Sequence, residues 1–456
     1  MDSETASSLF KRLTSQESLM STFSEQVEKK SARGRDGVSP ALFRENLNFS
    51  CEELSRKLRS GEHEFTQYRE LLKSKGAGKP PRVVSVPTVR DRVALRAVAE
   101  VLGRVYPEFK GSIPQAKVQL VKEALELGTY DSFIRLDVKE FYPNISHERV
   151  IARLRWRVRK KELLSLILKA IKTPTVPDRA KKKVELQGSG VPQGLAISNI
   201  LAELVARPID VKMQADERCF YVRFVDDVLI LCHSSDVDSL KKKAGRLFQK
   251  EHLEVHDPNE RGGKSGAGSI SEGFEYLGYR FFGTKISVRF ASVHKVESSL
   301  ARAFTRYAKS SSGESERVAL ARCQWKANLI ITGCIYKNTA RGWVFYFRQV
   351  NDLTVLKNLD MTVKRFAARF NLPDTLKVKT FMRTYWQIRS GQHALSGNSY
   401  VPNFDLISID EMRVILSEAF AYRNIELLSD KEVEFQFNRL AGKAIAELEE
   451  DIGDLS

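Results

Sequence analysis

The chain is poor in the residues that mark disulfide-stapled, zinc-held or membrane-spanning proteins. Its 456 residues include five cysteines, Cys51, Cys219, Cys232, Cys323 and Cys334. They are odd in number, scattered and without paired spacing, so they read as reduced, mostly buried thiols and neither as a disulfide framework nor as a zinc site. No uninterrupted run of about 18 apolar residues occurs, which argues against a helical membrane span. The opening Met1-Asp2-Ser3-Glu4 is acidic and polar, against a secretory leader and in keeping with a cytoplasmic protein. Internal repeats and low-complexity tracts are also lacking. What remains is a chain of ordinary apolar content, 42%, with room for two to four structural units around a large core.

Charge is the strongest compositional signal. The formal charge is +17 and the isoelectric point is near 9.5. A polyanionic partner follows, nucleic acid ahead of an anionic membrane. Residues 405–456 hold thirteen Asp and Glu against five Lys and Arg, a net of −8, which leaves +25 on the first 404 residues. The polyanion therefore belongs to the larger N-terminal part.

The stretch Cys219 to Cys232 organises the rest. Two apolar runs rich in β-branched and aromatic residues flank Asp226-Asp227, and neither has a helical period, so a tight hairpin with both carboxylates at its tip is predicted. Adjacent like charges repel. They are either a solvated turn or part of a cation site, where hard oxygen ligands gather magnesium and substrate phosphates.

Other segments could complete such a site. Residues 1–30 look helical and amphipathic, a basic loop follows, and Ser39-Pro40 predicts a helix start. After the breaker 76–81 come a strand at Arg82–Pro87 and a helix opening at Asp91. Lys79 and Arg82 flank the glycine-bearing loop, as a phosphate grip or as a solvated strand edge. Ser132–Asp137 is a strand ending in a third carboxylate, and Ser146 caps the next helix. That helix carries Arg153, Arg155, Arg157, Arg159, Lys160 and Lys161, a solvated face or a track for a nucleic-acid backbone. Gly188-Ser-Gly-Val-Pro-Gln-Gly194 precedes a long apolar helix through about Met213, an arrangement that exposes backbone amides and lets a ligand come close. A helix over about 235–250, a basic loop over 257–268 and a strand turning at Gly278 come next. From about 290 the pattern is helical to the end, broken by a polar linker at 309–314 and a loop near 391–403.

In that order and spacing the chain resembles the bacterial reverse transcriptases. These include group II intron proteins, retron enzymes and defence-associated enzymes, and the chain is most like the defence-associated (abortive-infection and unknown-group) enzymes. The matching stretches are Phe133-Ile-Arg-Leu-Asp-Val-Lys-Glu-Phe-Tyr-Pro-Asn-Ile-Ser146, Gly188 to Ser198, Tyr221-Val-Arg-Phe-Val-Asp-Asp227 and Tyr276-Leu-Gly-Tyr279. Arg33–Ser39 and Arg82–Pro87 look like the family's finger motifs, and Arg341–Phe347 with Leu356–Asp360 looks like the thumb of intron maturases. The resemblance covers roughly residues 30–285. It implies an α+β right-hand polymerase: N-terminal extension and fingers over 1–130, and a palm with an antiparallel sheet over 131–285 that carries a finger insertion at about 150–187. A helical thumb over 286–390 and an acidic helical C-terminal extension over 391–456 complete it.

The resemblance also implies a chemistry. Asp137, Val138, Asp226 and Asp227 would hold two magnesium ions about 3.5–4 Å apart, with manganese as a substitute. Asp227 could mainly support the site. Tyr142 would lie against the nucleotide sugar and exclude a ribose 2′-hydroxyl, with Phe141 in the core. Arg82, helped by Lys79, would grip the triphosphate. Gln193 would sit by the sugar, Gly194 would keep the pocket floor open, and Lys264 would protonate pyrophosphate. Tyr276, Leu277 and Gly278 would grip the primer.

The activity implied is synthesis of cDNA on a non-coding RNA template in an antiphage defence system, from deoxynucleotides, with a second copy or an accessory defence protein as candidate partners. A maturase that only binds RNA, and untemplated or protein-primed synthesis, are the alternatives. Three departures stand out. The motif tyrosine before the aspartates is Phe224, residues 109–116 follow the finger pattern loosely, and no His/Cys cluster of an endonuclease follows the thumb.

Overall fold

The computed structural model describes residues 4–28, 32–74, 80–109, 111, 113–178, 185–257, 265–309, 315–373, 375–391 and 399–450. The chain divides into two compact units, residues 1–113 with 129–267, and residues 114–128 with 268–456.

The first unit opens with capped helices. Thr5 and Ser15 accept hydrogen bonds from the Ser8 and Ser18 amides and start Ala6–Leu13 and Gln16–Thr22. Ser39 caps Pro40–Glu45 at the predicted position. Strands β1 (Tyr68–Lys73) and β2 (Arg82–Val86) pair antiparallel. Helix α1 (Val89–Val105), capped by Thr88, buries Val89, Val93, Ala97 and Val101. That four-residue spacing is the apolar stripe of a helix facing a core.

The central sheet of this unit is built from β3 (Ser132–Asp137), β4 (Cys219–Phe224) and β5 (Asp227–Cys232), with helices α2 (Ser198–Gln214) and α3 (Val237–Lys250). β5 lies between the other two and runs antiparallel to both. Along β3, Ile134 and Leu136 are buried while Phe133, Arg135 and Asp137 are half-buried. The period of two therefore gives the strand one core face and one polar face. α2 packs behind β4 with Leu201, Val205, Ile209 and Met213 almost fully buried. This apolar backing holds the carboxylate-bearing strand ends in place.

The second unit contains a three-strand antiparallel meander, β6 (Phe274–Tyr276), β7 (Tyr279–Phe282) and β8 (Lys285–Val288). Helices α4 (Phe290–Lys309) and α5 (Glu316–Thr332) follow. Here the uniformly helical expectation fails. A hairpin, β9 (Cys334–Tyr336) and β10 (Thr339–Arg341), interrupts the helices. Lys337 and Asn338 both take φ near +53°, the two-residue turn whose twist matches paired strands. Their amides are held by the Asp405 carboxylate at 2.6 and 2.7 Å. Gly333 is obligatory at the entry, since a Cβ there would lie 2.1 Å from the Arg341 carbonyl. Trp343–Tyr346 is a single helical turn with Trp343, Val344 and Phe345 buried.

Helices α6 (Thr354–Arg369), α7 (Phe381–Arg389), α8 (Ile409–Phe420) and α9 (Asp430–Glu450) complete the unit. The acidic tail is helical and packs on the unit. α8 and α9 lie against α5, and Lys326–Glu447 at 2.6 Å and Arg317–Glu418 at 3.3 Å tie tail carboxylates to α5.

Candidate active site

The register defines the hairpin tip. Phe224 pairs with Asp227, which leaves Val225 and Asp226 as a two-residue turn. Val225 has φ +55°, a left-handed conformation that a β-branched residue adopts only under strain, at a cost of roughly 1–3 kcal/mol. Arg223 holds it there. Its Nη1 donates to the Val225 carbonyl at 2.8 Å. The same guanidinium forks to Asp210 at 2.9 and 2.7 Å and to Glu203 at 3.1 and 2.6 Å, both on α2. Tyr221 donates its hydroxyl to Asp210 at 2.9 Å. Burial works against a charge on Arg223, but Asp210 and Glu203 outweigh it and hold its pKa well above the usual range. The turn is thereby locked from behind to α2.

Asp137 sits directly across from Asp227 in the ladder, so the two side chains share a face. The Val138 amide donates to the Asp226 carbonyl at 3.0 Å, which joins the turn to the end of β3. All three carboxylates are partly exposed. The strand register places Asp137 and Asp227 opposite each other, with Asp226 in the adjoining turn.

Two basic side chains meet this negative charge. Arg135, two residues before Asp137 and on the same face, donates to Asp227 from Nε at 3.1 Å and Nη2 at 3.4 Å. The His256 imidazole stands 3.3 Å from the Asp137 carboxylate, and its amide donates to the Asp137 carbonyl at 2.9 Å. Asp137 donates its own amide to Ser265 Oγ at 3.0 Å. Burial pushes the Asp227 carboxyl up to about 6, against the pull of Arg135, and Asp226 and Asp137 add to the rise.

The donor set is chemically right for a hard divalent cation, since it consists of carboxylate oxygens. Among the described residues no three carboxylate, imidazole or thiol groups are gathered as a closed cation cage. Asp227 is turned to Arg135 and Asp137 has His256 beside it, so a cation would compete with these two side chains for the same oxygens. Val138 is bridged to Val255, with the flanking bonds made by the Lys139 and His256 amides.

The nucleotide-side candidates lie in the same unit. The Ser85 amide donates to the Gln193 carbonyl at 2.7 Å, which docks the Gly-Pro-Gln-Gly loop on the strand that begins with Arg82. Gly194 has φ +105°, and a Cβ there would meet Val84 Cγ1 at 2.8 Å and the Ser85 carbonyl at 2.9 Å. Its glycine is therefore required by the approach of β2. The Val191 amide donates to the Tyr142 carbonyl at 2.8 Å. The Tyr142 hydroxyl donates to Asn199 Oδ1 at 2.8 Å. Burial pushes that hydroxyl up to about 12, with Glu203 and Asp226 adding and Arg223 and Arg82 opposing. The Tyr142 hydroxyl thus lies within electrostatic reach of both Arg82 and Asp226, while Phe141 is core, 3% exposed.

Lys79 and Lys264 lie outside the described residues. Tyr276, Leu277 and Gly278 belong to the second unit, where Tyr276 and Leu277 are buried. Gly278 is buried as well, and the Leu277 and Gly278 carbonyls accept the Tyr346 hydroxyl at 3.2 Å and the Arg289 amide at 3.0 Å.

Sequence reading missed Arg135, Arg223 and His256. A signal existed for the arginines, because each is a lone cation inside an otherwise apolar strand beside an aspartate. His256 carried none, since it reaches Asp137 from a loop far along the chain.

Residues 73–281 match the family model of the reverse transcriptases (RNA-dependent DNA polymerases). A stretch of 172 residues is 26% identical to the group II intron-encoded protein LtrA of Lactococcus lactis subsp. cremoris, covering 36% of this chain and 28% of that protein. The chain thus spans under a third of the length of the curated relatives it matches. Among solved structures, a telomerase from Candida albicans in complex with a telomeric RNA fragment is similar at 12% identity and TM-score 0.42, covering 86% of this chain and 69% of that one. The Sicinivirus 3Dpol RNA-dependent RNA polymerase is similar at 12% identity and TM-score 0.46, covering 75% and 71%.

Proposed function

We propose that this chain is an RNA-directed DNA polymerase, proceeding from the reverse transcriptase domain matched over residues 73–281. The observation that carries the reading is the register that sets Asp137 across from Asp227 with Asp226 in the adjoining turn. In this reading residues 1–130 form the fingers and N-terminal extension, 131–285 the palm with its finger insertion, 286–390 the thumb, and 391–456 the C-terminal extension.

Asp137 and Asp226 are the principal carboxylates for divalent cations, with Val138 at the same strand end. Asp227, held by Arg135, supports them. Magnesium bound there would activate a primer 3′-hydroxyl and neutralise the departing pyrophosphate. The chain's own residues do the rest. Arg223 fixes the turn that presents Asp226. Arg82 meets the triphosphate with a planar fork of donors, and Gln193 lies by the sugar. Tyr142, fixed through Asn199, keeps its ring where it excludes a ribose 2′-hydroxyl, so deoxynucleotides are the substrates. Tyr276, Leu277 and Gly278 keep the primer-grip role that the sequence resemblance implies.

The test is direct. Purified protein given an RNA template, a DNA primer, deoxynucleotides and magnesium extends the primer. Asp226→Ala lowers extension by about a thousandfold or more, as expected for losing several kcal/mol of charge stabilisation. Equal extension by wild type and variant, or none on any template, overturns the reading. The finer assignment is a non-coding RNA template in an antiphage defence system, and it rests on the sequence resemblance. Sequencing the nucleic acid that copurifies with the protein checks it, since one recurrent structured RNA with its complementary DNA is expected.

A further inference from the structure

The carboxylate face of the central sheet carries a cation of its own. In the β3–β5 ladder Asp137 lies across from Asp227, and Arg135 lies across from Leu229. Residues two apart on a strand share a face, so Arg135 stands on the diagonal from Asp227, a separation that a long side chain spans. Its other ladder neighbours on this face are the half-buried Phe133 and the buried Leu229 and Leu231. The Arg135 side chain is 29% exposed and that of Asp227 16%. The pair is therefore drawn largely out of solvent, and Arg135 is not a freely solvated surface cation.

The contact is a fork, with Nε on one Asp227 oxygen at 3.1 Å and Nη2 on the other at 3.4 Å. Both oxygens of Asp227 are thus engaged, whereas Asp137 has His256 3.3 Å away on one oxygen. Three carboxylates at one end of a sheet repel one another. The Arg135 fork answers one of them inside the protein, so the tip keeps its register without help from a metal. Turning Asp227 towards a divalent ion would take this partner from a guanidinium that is mostly desolvated, and would leave two cations facing each other, which is costly.

Resting on the polymerase reading, which gives Asp137 and Asp226 the divalent ions, we infer that Arg135 is a positioning residue that withholds Asp227 from the cation's ligand set. It preassembles the site in the metal-free state and, in exchange, weakens cation binding. The number and charge of carboxylate ligands sets divalent-ion affinity over decades, so the effect is measurable on binding alone.

The test reads binding and not catalysis. Mn²⁺ is titrated into the full chain, free Mn²⁺ is followed by electron paramagnetic resonance, and only binding that Asp226→Ala abolishes is counted. Arg135→Gln should bind Mn²⁺ about tenfold tighter than wild type or more, because Asp227 is released and a positive charge is gone. Its melting temperature in EDTA should be lower than that of wild type and should rise further on adding Mn²⁺. Arg135→Lys, which keeps the charge, should bind Mn²⁺ as weakly as wild type. Arg135→Gln with Asp227→Asn removes both partners and should be better tolerated than Arg135→Gln alone. Its Mn²⁺ affinity should return to within about threefold of wild type. A merely structural role for Arg135 would lower stability without tightening Mn²⁺ binding. Unchanged or weaker Mn²⁺ binding in Arg135→Gln, or a loss of about tenfold in the double variant, overturns the inference, while primer extension by wild type leaves the polymerase reading standing. No Asp226-dependent Mn²⁺ binding in wild type, together with no extension, overturns both.

Discussion

Two of the hairpins among the described residues hold an apolar, non-glycine residue at positive φ, and they are braced by opposite means. At the tip of β4 and β5, Val225 has φ +55° and its carbonyl is held by the buried Arg223, which is itself clamped by Asp210 and Glu203. At the tip of β6 and β7, Leu277 has φ +47° and Gly278 φ +79°. There the Leu277 carbonyl accepts the Tyr346 hydroxyl at 3.2 Å, and the Tyr279 hydroxyl is spent on the Tyr346 carbonyl. Tyr276, Leu277 and Tyr279 are buried. One turn is braced by charge and the other by aromatic packing. The difference follows from what each turn carries. In the proposed polymerase reading Asp226 and Asp227 must stay ionisable and reachable, so little apolar mass can be stacked over them and the support comes from behind as an ion network. Leu277 carries an apolar side chain, so the core itself holds it.

Breaking the charged brace should have the largest effect. Arg223→Met leaves Asp210 and Glu203 without their partner and should cost about 3–5 kcal/mol, read as a lower denaturant midpoint, together with loss of primer extension. Arg223→Lys separates the two consequences. A point charge cannot serve two carboxylates and a carbonyl in fixed directions, so extension should fall further than stability. Unchanged extension in Arg223→Lys would show that the brace does not position the turn.

Replacing the strained residues themselves should sharpen the contrast. Glycine at either position relieves about 1–2 kcal/mol of left-handed strain. At 277 this is outweighed by losing a buried leucine side chain, about 2–5 kcal/mol, so Leu277→Gly should be destabilised overall. Val225 is only half-buried, and Val225→Gly should change stability by about 1 kcal/mol or less while lowering extension, because the turn that presents Asp226 is loosened. Equal destabilisation of both variants in chemical denaturation would end the distinction between the two braces.

Much of this arrangement was legible in the sequence, for reasons that are local. The Asp-Asp tip, the strand ending at Asp137 and the caps at Ser39 and Ser146 are written in period-two patterning and in side chains that satisfy their own neighbours' amides. The hairpin at 334–341 was not legible, because strands of three residues carry too little pattern to outweigh the helical segments around them. The partners of the aspartates escaped for a different reason. Arg223 finds Asp210 and Glu203 only after α2 has packed against β4, and His256 reaches Asp137 across more than a hundred residues. Long-range ion pairs leave no periodic trace. Gly194 shows the remaining limit, since its need for glycine depends on β2, which is far away in the chain.

The smallest expected effect concerns how the loop 188–194 is anchored. His147 Nε2 donates to the Gly190 carbonyl at 2.7 Å, and its Nδ1 is buried without a partner. Burial lowers the His147 pKa, Lys172 adds to this, and the Gly190 carbonyl opposes it. The folded protein therefore binds this proton less readily than the unfolded chain, whose histidine titrates near 6.5. Above that value the residue is neutral in both states and contributes no pH dependence. As pH falls below about 6.5 the unfolded chain takes the proton first, so stability is lost progressively on acidification. Asp227 acts with the opposite sign. Its carboxyl is raised to about 6, so it adds stability at low pH that disappears as pH rises from about 4 to about 6. The two slopes oppose each other in the wild type, and His147→Gln, which keeps a donor for Gly190 but does not titrate, exposes the Asp227 slope alone. Between about pH 7.5 and about pH 5.5 the variant should therefore lose less stability than wild type, or gain some. Parallel melting curves across that range would mean that His147 keeps its proton equilibrium unchanged on folding and that the loop is held by backbone bonds alone.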